Sequence, residues 1–174
     1  MRAATTQELK QELQTLKPVE LVNLCLRLAR FKKENKELLT YLLFEAGDEE
    51  SFIRGVKTEI EEFFATINLT QLYFAKKTLR KIVRVINKYS RYSGNKQTDI
   101  ELRLFFCSRL KESGIPFRQS QVIANLYDGQ VKKIKAGLAV LHEDLQHDYQ
   151  KELQPLLEVE SSKSWNIFRK RKAK

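Results

Sequence analysis

Residues 70–94 read TQLYFAKKTLRKIVRVINKYSRYSG. Leu72, Ala75, Leu79, Ile82, Val83 and Ile86 recur at intervals of three and four, the period of one helix face. Lys76, Arg80, Arg84 and Lys88 recur at strict i, i+4 spacing, so they line one face of the same helix. Thr70 is placed to cap the segment and Gly94 to end it. The pattern predicts one long amphipathic helix with seven cations and no acid. A helix of this kind needs other elements against its apolar stripe, and the rest of the chain supplies them in the same form.

Upstream, Asp48 precedes Phe52, Ile53, Val56, Ile60, Phe63, Phe64 and Ile67, a clear 3.6-residue stripe that runs to Asn68. The other side of that helix carries Glu59, Glu61 and Glu62. Nearer the N-terminus, Thr5-x-x-Glu8 has capping-box spacing ahead of Leu9, Leu13 and Leu16. Pro18 stands where a second helix places its first residue. Leu21, Leu24, Cys25, Leu28 and Phe31 form the stripe of that helix. Asn35 is the expected cap of a third, with Leu38, Leu39, Leu42 and Leu43 before Gly47.

Downstream, Thr98-x-x-Glu101 is a second capping-box pattern, followed by Leu102, Leu104, Phe105, Phe106 and Leu110 over a wide arc. A helix apolar on most sides is expected to be central. Gly114 and Pro116 break the chain. One long last helix is then expected, hinged at Asp128-Gly129, with Val131, Ile134, Leu138, Leu141 and Leu145 as a 3, 4, 3, 4 seam. Pro155 marks the end of regular structure nearby. The expected fold is all-α, a single-domain helical bundle or stacked antiparallel helical hairpins of about seven helices. Residues 1–160 are expected to form this all-helical domain, and 161–174 a basic, flexible C-terminal tail.

Composition agrees with that class. Gly 6 and Pro 3 in 174 residues leave little room for many-turned β architectures. No signal-peptide core and no apolar run of spanning length is present, so a cytoplasmic setting is expected. Cys25 and Cys107 lie on predicted apolar faces and read as buried free thiols.

The net charge of +10 is unevenly spread. The seven cations of 70–94 and the six of 161–174 leave a remainder of −3. In the basic helix the candidate anion- or partner-binding residues are Lys76, Lys77, Arg80, Lys81, Arg84, Lys88 and Arg91, with Tyr89 and Tyr92 between the last cations. Like charges at i, i+4 repel by a few tenths of a kcal/mol per pair. Two neighbours would offset this: the Glu59, Glu61 and Glu62 face of the preceding helix, or an anionic partner. The tyrosines have two readings as well, stacking platforms for bases or closure of the core edge. In the tail, Trp165, Phe168, Arg169, Lys170, Arg171 and Lys172 combine aromatic and cationic groups. That combination suits anionic lipid or nucleic acid, or a solubilising end.

No catalytic pattern appears. His142 and His147 are separated by five residues, where a helical zinc site needs four, so they swing apart. Asp144-x-x-His147 is a single imperfect copy of a di-iron motif. Gly94-Asn95-Lys96 precedes a helix N-terminus, but Asp99 and Glu101 fill its first turn. No metal or cofactor is expected, and an enzyme is unsupported.

The succession Leu79-Arg-Lys-Ile-Val-Arg-Val-Ile-Asn-Lys-Tyr89, the Phe105-Phe-Cys107 helix and Leu141-His-Glu-Asp-Leu145 resembles an all-helical bacterial protein family without assigned function. The resemblance implies an all-helical fold in a bacterial cytoplasm and brings no catalytic or ligand residues. The expected function is a non-enzymatic interaction module. Its basic helix and tail would engage an acidic protein or nucleic acid; the alternative is association of the tail with an anionic membrane. A dimer through the 131–145 seam is open.

Overall fold

The computed structural model describes residues 2–68 and 71–157. Among these the chain is all-α, with eight α-helices and no strand. They are α1 (Thr6–Thr15), α2 (Pro18–Phe31), α3 (Lys33–Thr40), α4 (Glu49–Ala65), α5 (Leu72–Ser93), α6 (Lys96–Glu112), α7 (Gln121–Leu138) and α8 (Glu143–Leu157). The expected count was about seven, and the difference is the last helix. It does not hinge at Asp128-Gly129, where α7 runs through unbroken. It ends at Leu138, and a turn over 139–142 precedes α8. The tail residues Trp165, Phe168, Arg169, Lys170, Arg171 and Lys172, and the cap Thr70, lie outside the described residues.

The chain divides into two compact units, Met1–Glu49 and Glu50–Lys174. In the first, the Thr5 hydroxyl accepts from the Glu8 amide at 3.3 Å, and the Thr5 amide donates to Glu8 Oε2 at 2.6 Å. That reciprocal pair is the capping box the spacing predicts. Pro18 opens α2 as expected, and the Glu20 carboxylate accepts from the Lys17 amide at 2.8 Å. Asn35 is not the cap of α3. Lys32 holds that position, and Asn35 reaches back instead, donating to the Leu28 carbonyl at 2.9 Å to bridge the break after α2. Past Thr40 the helix widens into one π turn over Tyr41–Glu45, closed by the Ala46 amide on the Tyr41 carbonyl at 2.8 Å. Tyr41 is the one buried side chain described in this unit, and its hydroxyl donates to Glu49 Oε2 at 2.7 Å. Cys25 is exposed, against expectation, because α2 buries none of its stripe.

The second unit has a conventional core. α4 contributes Phe52, Ile53, Val56 and Ile60, and α5 contributes Ala75, Leu79, Ile82 and Ile86. α6 is central, as its wide apolar arc implies, and buries Ile100, Leu102, Leu104, Phe106, Cys107 and Leu110. α7 buries Ile123, Tyr127, Val131, Ile134 and Leu138. The first three residues of the 131–145 seam are therefore core residues of this unit, whereas Leu141 and Leu145 are half-buried. Gly94 ends α5 at φ +67°, where a Cβ would be strained. Thr98 does not cap α6. It is fully buried, and Asn95 caps the helix by accepting from the Gln97 amide at 2.9 Å. Pro155 lies inside α8, and its carbonyl accepts from Lys111 Nζ at 2.7 Å. No helix among the described residues is long and apolar enough to cross a membrane.

Candidate functional site

α5 has two chemically distinct sides. Ala75, Leu79, Ile82 and Ile86 are completely buried. Turned away from them, Lys77, Arg80, Lys81, Arg84 and Arg91 are exposed, and Lys76 and Lys88 are half-buried. At 1.5 Å of rise per residue, Lys77 to Arg91 spans about 21 Å along one side of the helix.

The two candidate neighbours for this charge are separated by the positions of the α4 acids. Glu59 Oε2 accepts from the Tyr89 hydroxyl at 2.9 Å. Glu61 turns to α6, where Arg109 Nε lies 2.6 Å from Oε1 and Arg109 Nη2 donates to Oε2 at 2.8 Å. Glu62 is exposed. Among the described residues, Lys76, Lys77, Arg80, Lys81, Arg84 and Arg91 make no ion pair with a carboxylate. The cations hold other groups. Arg84 Nε donates to the Arg80 carbonyl at 3.3 Å, and Arg91 Nε to the Asn87 carbonyl at 3.2 Å. Lys81 sits 4.2 Å from the Phe63 ring centroid, Lys76 5.3 Å from Tyr73, and Lys88 4.3 Å from Tyr89. These contacts steady the stems, and none of them is to a carboxylate.

Tyr89 and Tyr92 are half-buried and meet edge to face at 6.0 Å, and Tyr89 meets Phe52 of α4 at 5.7 Å. Phe52 is a core residue, so Tyr89 lies against the edge of the core. The exposed aromatic pair beside the cations is a different one. Tyr73 and Phe74, in the first turn of α5, are 68% and 51% exposed and stack edge to face at 5.5 Å. Sequence reasoning missed them, although the signal was present. Tyr73 is four residues before Lys77 and seven before Arg80, so it belongs to the charged side rather than to the buried stripe.

A second unread feature fixes α5 in place. Arg103 of α6 is only 4% exposed. Its Nη2 donates to Asp99 Oδ1 at 2.6 Å and to Asn87 Oδ1 of α5 at 2.9 Å, and its Nε donates to Asp99 Oδ2 at 3.0 Å. Its Nη1 donates to Gln130 Oε1 of α7. Lys133 of α7 also donates to Asn87 Oδ1, at 3.3 Å. Burial alone would raise the Asp99 carboxyl. Hydrogen bonds from Arg103 and Ser90, with the charges of Arg103 and Lys133, outweigh it and hold the carboxyl below the ordinary 3.8. A buried guanidinium therefore ties α5, α6 and α7 together through side-chain oxygens. Asp99 points to Arg103, and Glu101 accepts from Tyr149 at 2.7 Å. Asp99 is the one acid in the first turn of α6, so Glu101 does not share that turn as the sequence implied.

His142 and Asp144 are exposed, with Nδ1 and Oδ2 3.3 Å apart, and His147 is exposed as well. No group of three His, Cys, Asp or Glu side chains able to hold a metal occurs among the described residues. Cys107 is buried, and loss of solvation pushes its thiol up to about 12, which makes it a poor nucleophile at neutral pH.

Comparison with protein-family models, with curated proteins and with solved structures finds no match for this chain.

Proposed function

We propose that the outer side of α5 is a binding surface for the phosphate backbone of nucleic acid, acting without catalysis in a cytoplasmic setting. The observation that carries this reading is the row of five exposed cations, Lys77, Arg80, Lys81, Arg84 and Arg91, none paired with a carboxylate among the described residues. Like charges along one helix repel, and phosphates spaced along a strand relieve that repulsion. Tyr73 and Phe74 favour nucleic acid over an acidic protein, because exposed rings at the end of a cationic row offer bases a stacking surface. They also favour single strands, whose bases are free to stack.

The test is fluorescence anisotropy with labelled single-stranded DNA, single-stranded RNA and duplex DNA over a salt series. Five phosphate contacts give a slope of log affinity against log salt of about −3.5 for single strands. Lys77→Gln, Arg80→Gln and Arg84→Gln together reduce the slope by about 2. No binding at low salt, or binding that the triple substitution leaves unchanged, overturns the reading. Co-sedimentation with anionic vesicles, comparing the full chain with residues 1–160, checks the membrane alternative for the tail.

A further inference from the structure

At Asn87 of α5, cations from three helices meet. Its Oδ1 accepts from Arg103 Nη2 of α6 at 2.9 Å and from Lys133 Nζ of α7 at 3.3 Å, and its backbone carbonyl accepts from Arg91 Nε at 3.2 Å. Two cationic donors on one oxygen fix which way the amide points. Its Nδ2 therefore turns away from both, and its two N–H groups meet no acceptor among the described residues. Asp99, the acid whose charge reaches Lys133, gives both oxygens to Arg103. Lys133 and Arg91 are exposed and make no ion pair with a carboxylate among the described residues. Loss of solvation, then the charge of Arg103, hold the Lys133 ammonium below its ordinary 10.5, and the attraction of Asp99 does not outweigh them. The corner is thus left with positive charge and unused donors.

We propose that Asn87, Arg91 and Lys133 form a phosphate clamp where α5 meets α7, so that one phosphate of the bound strand is held by two helices. The inference rests on the reading of α5 as a nucleic-acid surface and adds to it a second helix and a fixed end. The groups on offer are all donors: the Asn87 amide, the two Nη groups of Arg91, whose Nε alone is engaged, and the Lys133 ammonium. A phosphate oxygen only accepts, and charge-assisted bonds to it are the strong kind. The clamp is also built in advance. The buried Arg103 fixes the amide of Asn87, and the bond to the Asn87 carbonyl curls Arg91 back one turn along α5 to the same level.

The clamp continues the row already described. At 3.6 residues per turn, Tyr73, Lys76, Arg80, Arg84, Asn87 and Arg91 fall within about 80° of the circumference of α5. Asn87 lies about 21 Å along the helix from the exposed Tyr73 ring. A single strand with a base on Tyr73 then carries its backbone past Arg80 and Arg84 to the clamp. On α7, Lys132 and Lys135 are exposed as well, but they stand about 100° and 160° around the helix from Lys133, on sides turned from Asn87. Lys133 is therefore a specific contact rather than one of a diffuse basic patch. All these residues belong to the unit Glu50–Lys174.

Fluorescence anisotropy of the full chain with a labelled oligothymidylate over a salt series tests the proposal. Lys133 adds a sixth phosphate contact, so the wild-type slope steepens from about −3.5 to about −4.2. Lys133→Gln returns it to about −3.5, whereas Lys135→Gln, the same change on the opposite side of α7, leaves it at the wild-type value. Asn87→Asp still accepts from Arg103 and Lys133 but sets a carboxylate where the phosphate sits, and weakens binding about tenfold or more. Lys133 is exposed, so Lys133→Gln keeps the wild-type melting profile and decides the matter even if Asn87→Asp unfolds. Binding that the α5 triple substitution weakens, but that Lys133→Gln leaves unchanged, overturns the clamp and spares the reading of α5. Equal losses from Lys133→Gln and Lys135→Gln overturn it too, since they report diffuse charge. No binding by the wild type at low salt overturns both.

Discussion

Replacing Arg103 by Met removes the buried guanidinium that joins α5, α6 and α7 while keeping much of the side chain's length. Its Nη and Nε groups make four hydrogen bonds, two to Asp99, one to Asn87 and one to Gln130. Breaking a buried pair by removing one partner costs about 3–5 kcal/mol. The lower end applies here, because the Asp99 side chain is 24% exposed and regains some water. Asn87 keeps Lys133 as a donor, whereas Gln130 is only 5% exposed and loses its donor. The sum is a loss of about 3 kcal/mol, equivalent to roughly 10 °C in melting temperature. Urea unfolding followed by far-UV circular dichroism measures it.

The loss has a pH signature. Asp99 is held below its ordinary 3.8 in the folded protein. Its contribution is therefore present above that pH and disappears as pH falls through the lower folded value. Arg103→Met lacks the share of this contribution that Arg103 supplies, so the gap between wild type and variant narrows as the solution is acidified below 3.8. A variant within about 0.5 kcal/mol of wild type at pH 7 refutes the argument, since a surface substitution has that effect. So does a gap that stays constant on acidification.

Two glycines report on packing with opposite signs. Gly55→Ala in the middle of α4 meets nothing within 4 Å and should gain about 0.5–1 kcal/mol from helix propensity. Gly137→Ala places its Cβ 2.9 Å from Cγ1 and 3.1 Å from Cδ1 of the fully buried Ile100, and should lose about 1 kcal/mol net of the same propensity gain. Denaturant midpoints separate the two. Thiol titration at neutral pH should find Cys25 reactive and Cys107 silent, with both reacting once the chain is unfolded, because Cys107 is buried and its thiol is pushed up to about 12. Two reactive thiols in the native protein refute that assignment. In the α5 binding assay, Tyr73→Ala and Phe74→Ala should weaken single-strand binding by about 1–3 kcal/mol per stacked base while leaving the salt slope unchanged. A changed slope with unchanged affinity argues against stacking.

The order of helices, the buried stripe of α5 and the stop at Gly94 were legible from spacing alone, because a 3.6-residue period decides which residues share a side of a helix. The segregation of positive charge into residues 70–94 was legible for the same reason. What lies opposite a given side is not written in that period. The α4 acids were equally suited by sequence to α5 or to any other cation. Only the fold gives Glu61 to Arg109 and Glu59 to Tyr89, leaving Lys77, Arg80, Lys81, Arg84 and Arg91 without a carboxylate partner among the described residues. Arg103 stands on a helix apolar over a wide arc, and spacing alone does not mark it for burial. It is buried because α5 and α7 bring Asn87 and Gln130 within hydrogen-bond reach, so burial of that charge depends on partners distant in sequence. α2 shows the converse. Its stripe implied a buried face that includes Cys25, yet none of its residues is buried, because periodicity encodes a need for burial and only packing meets it.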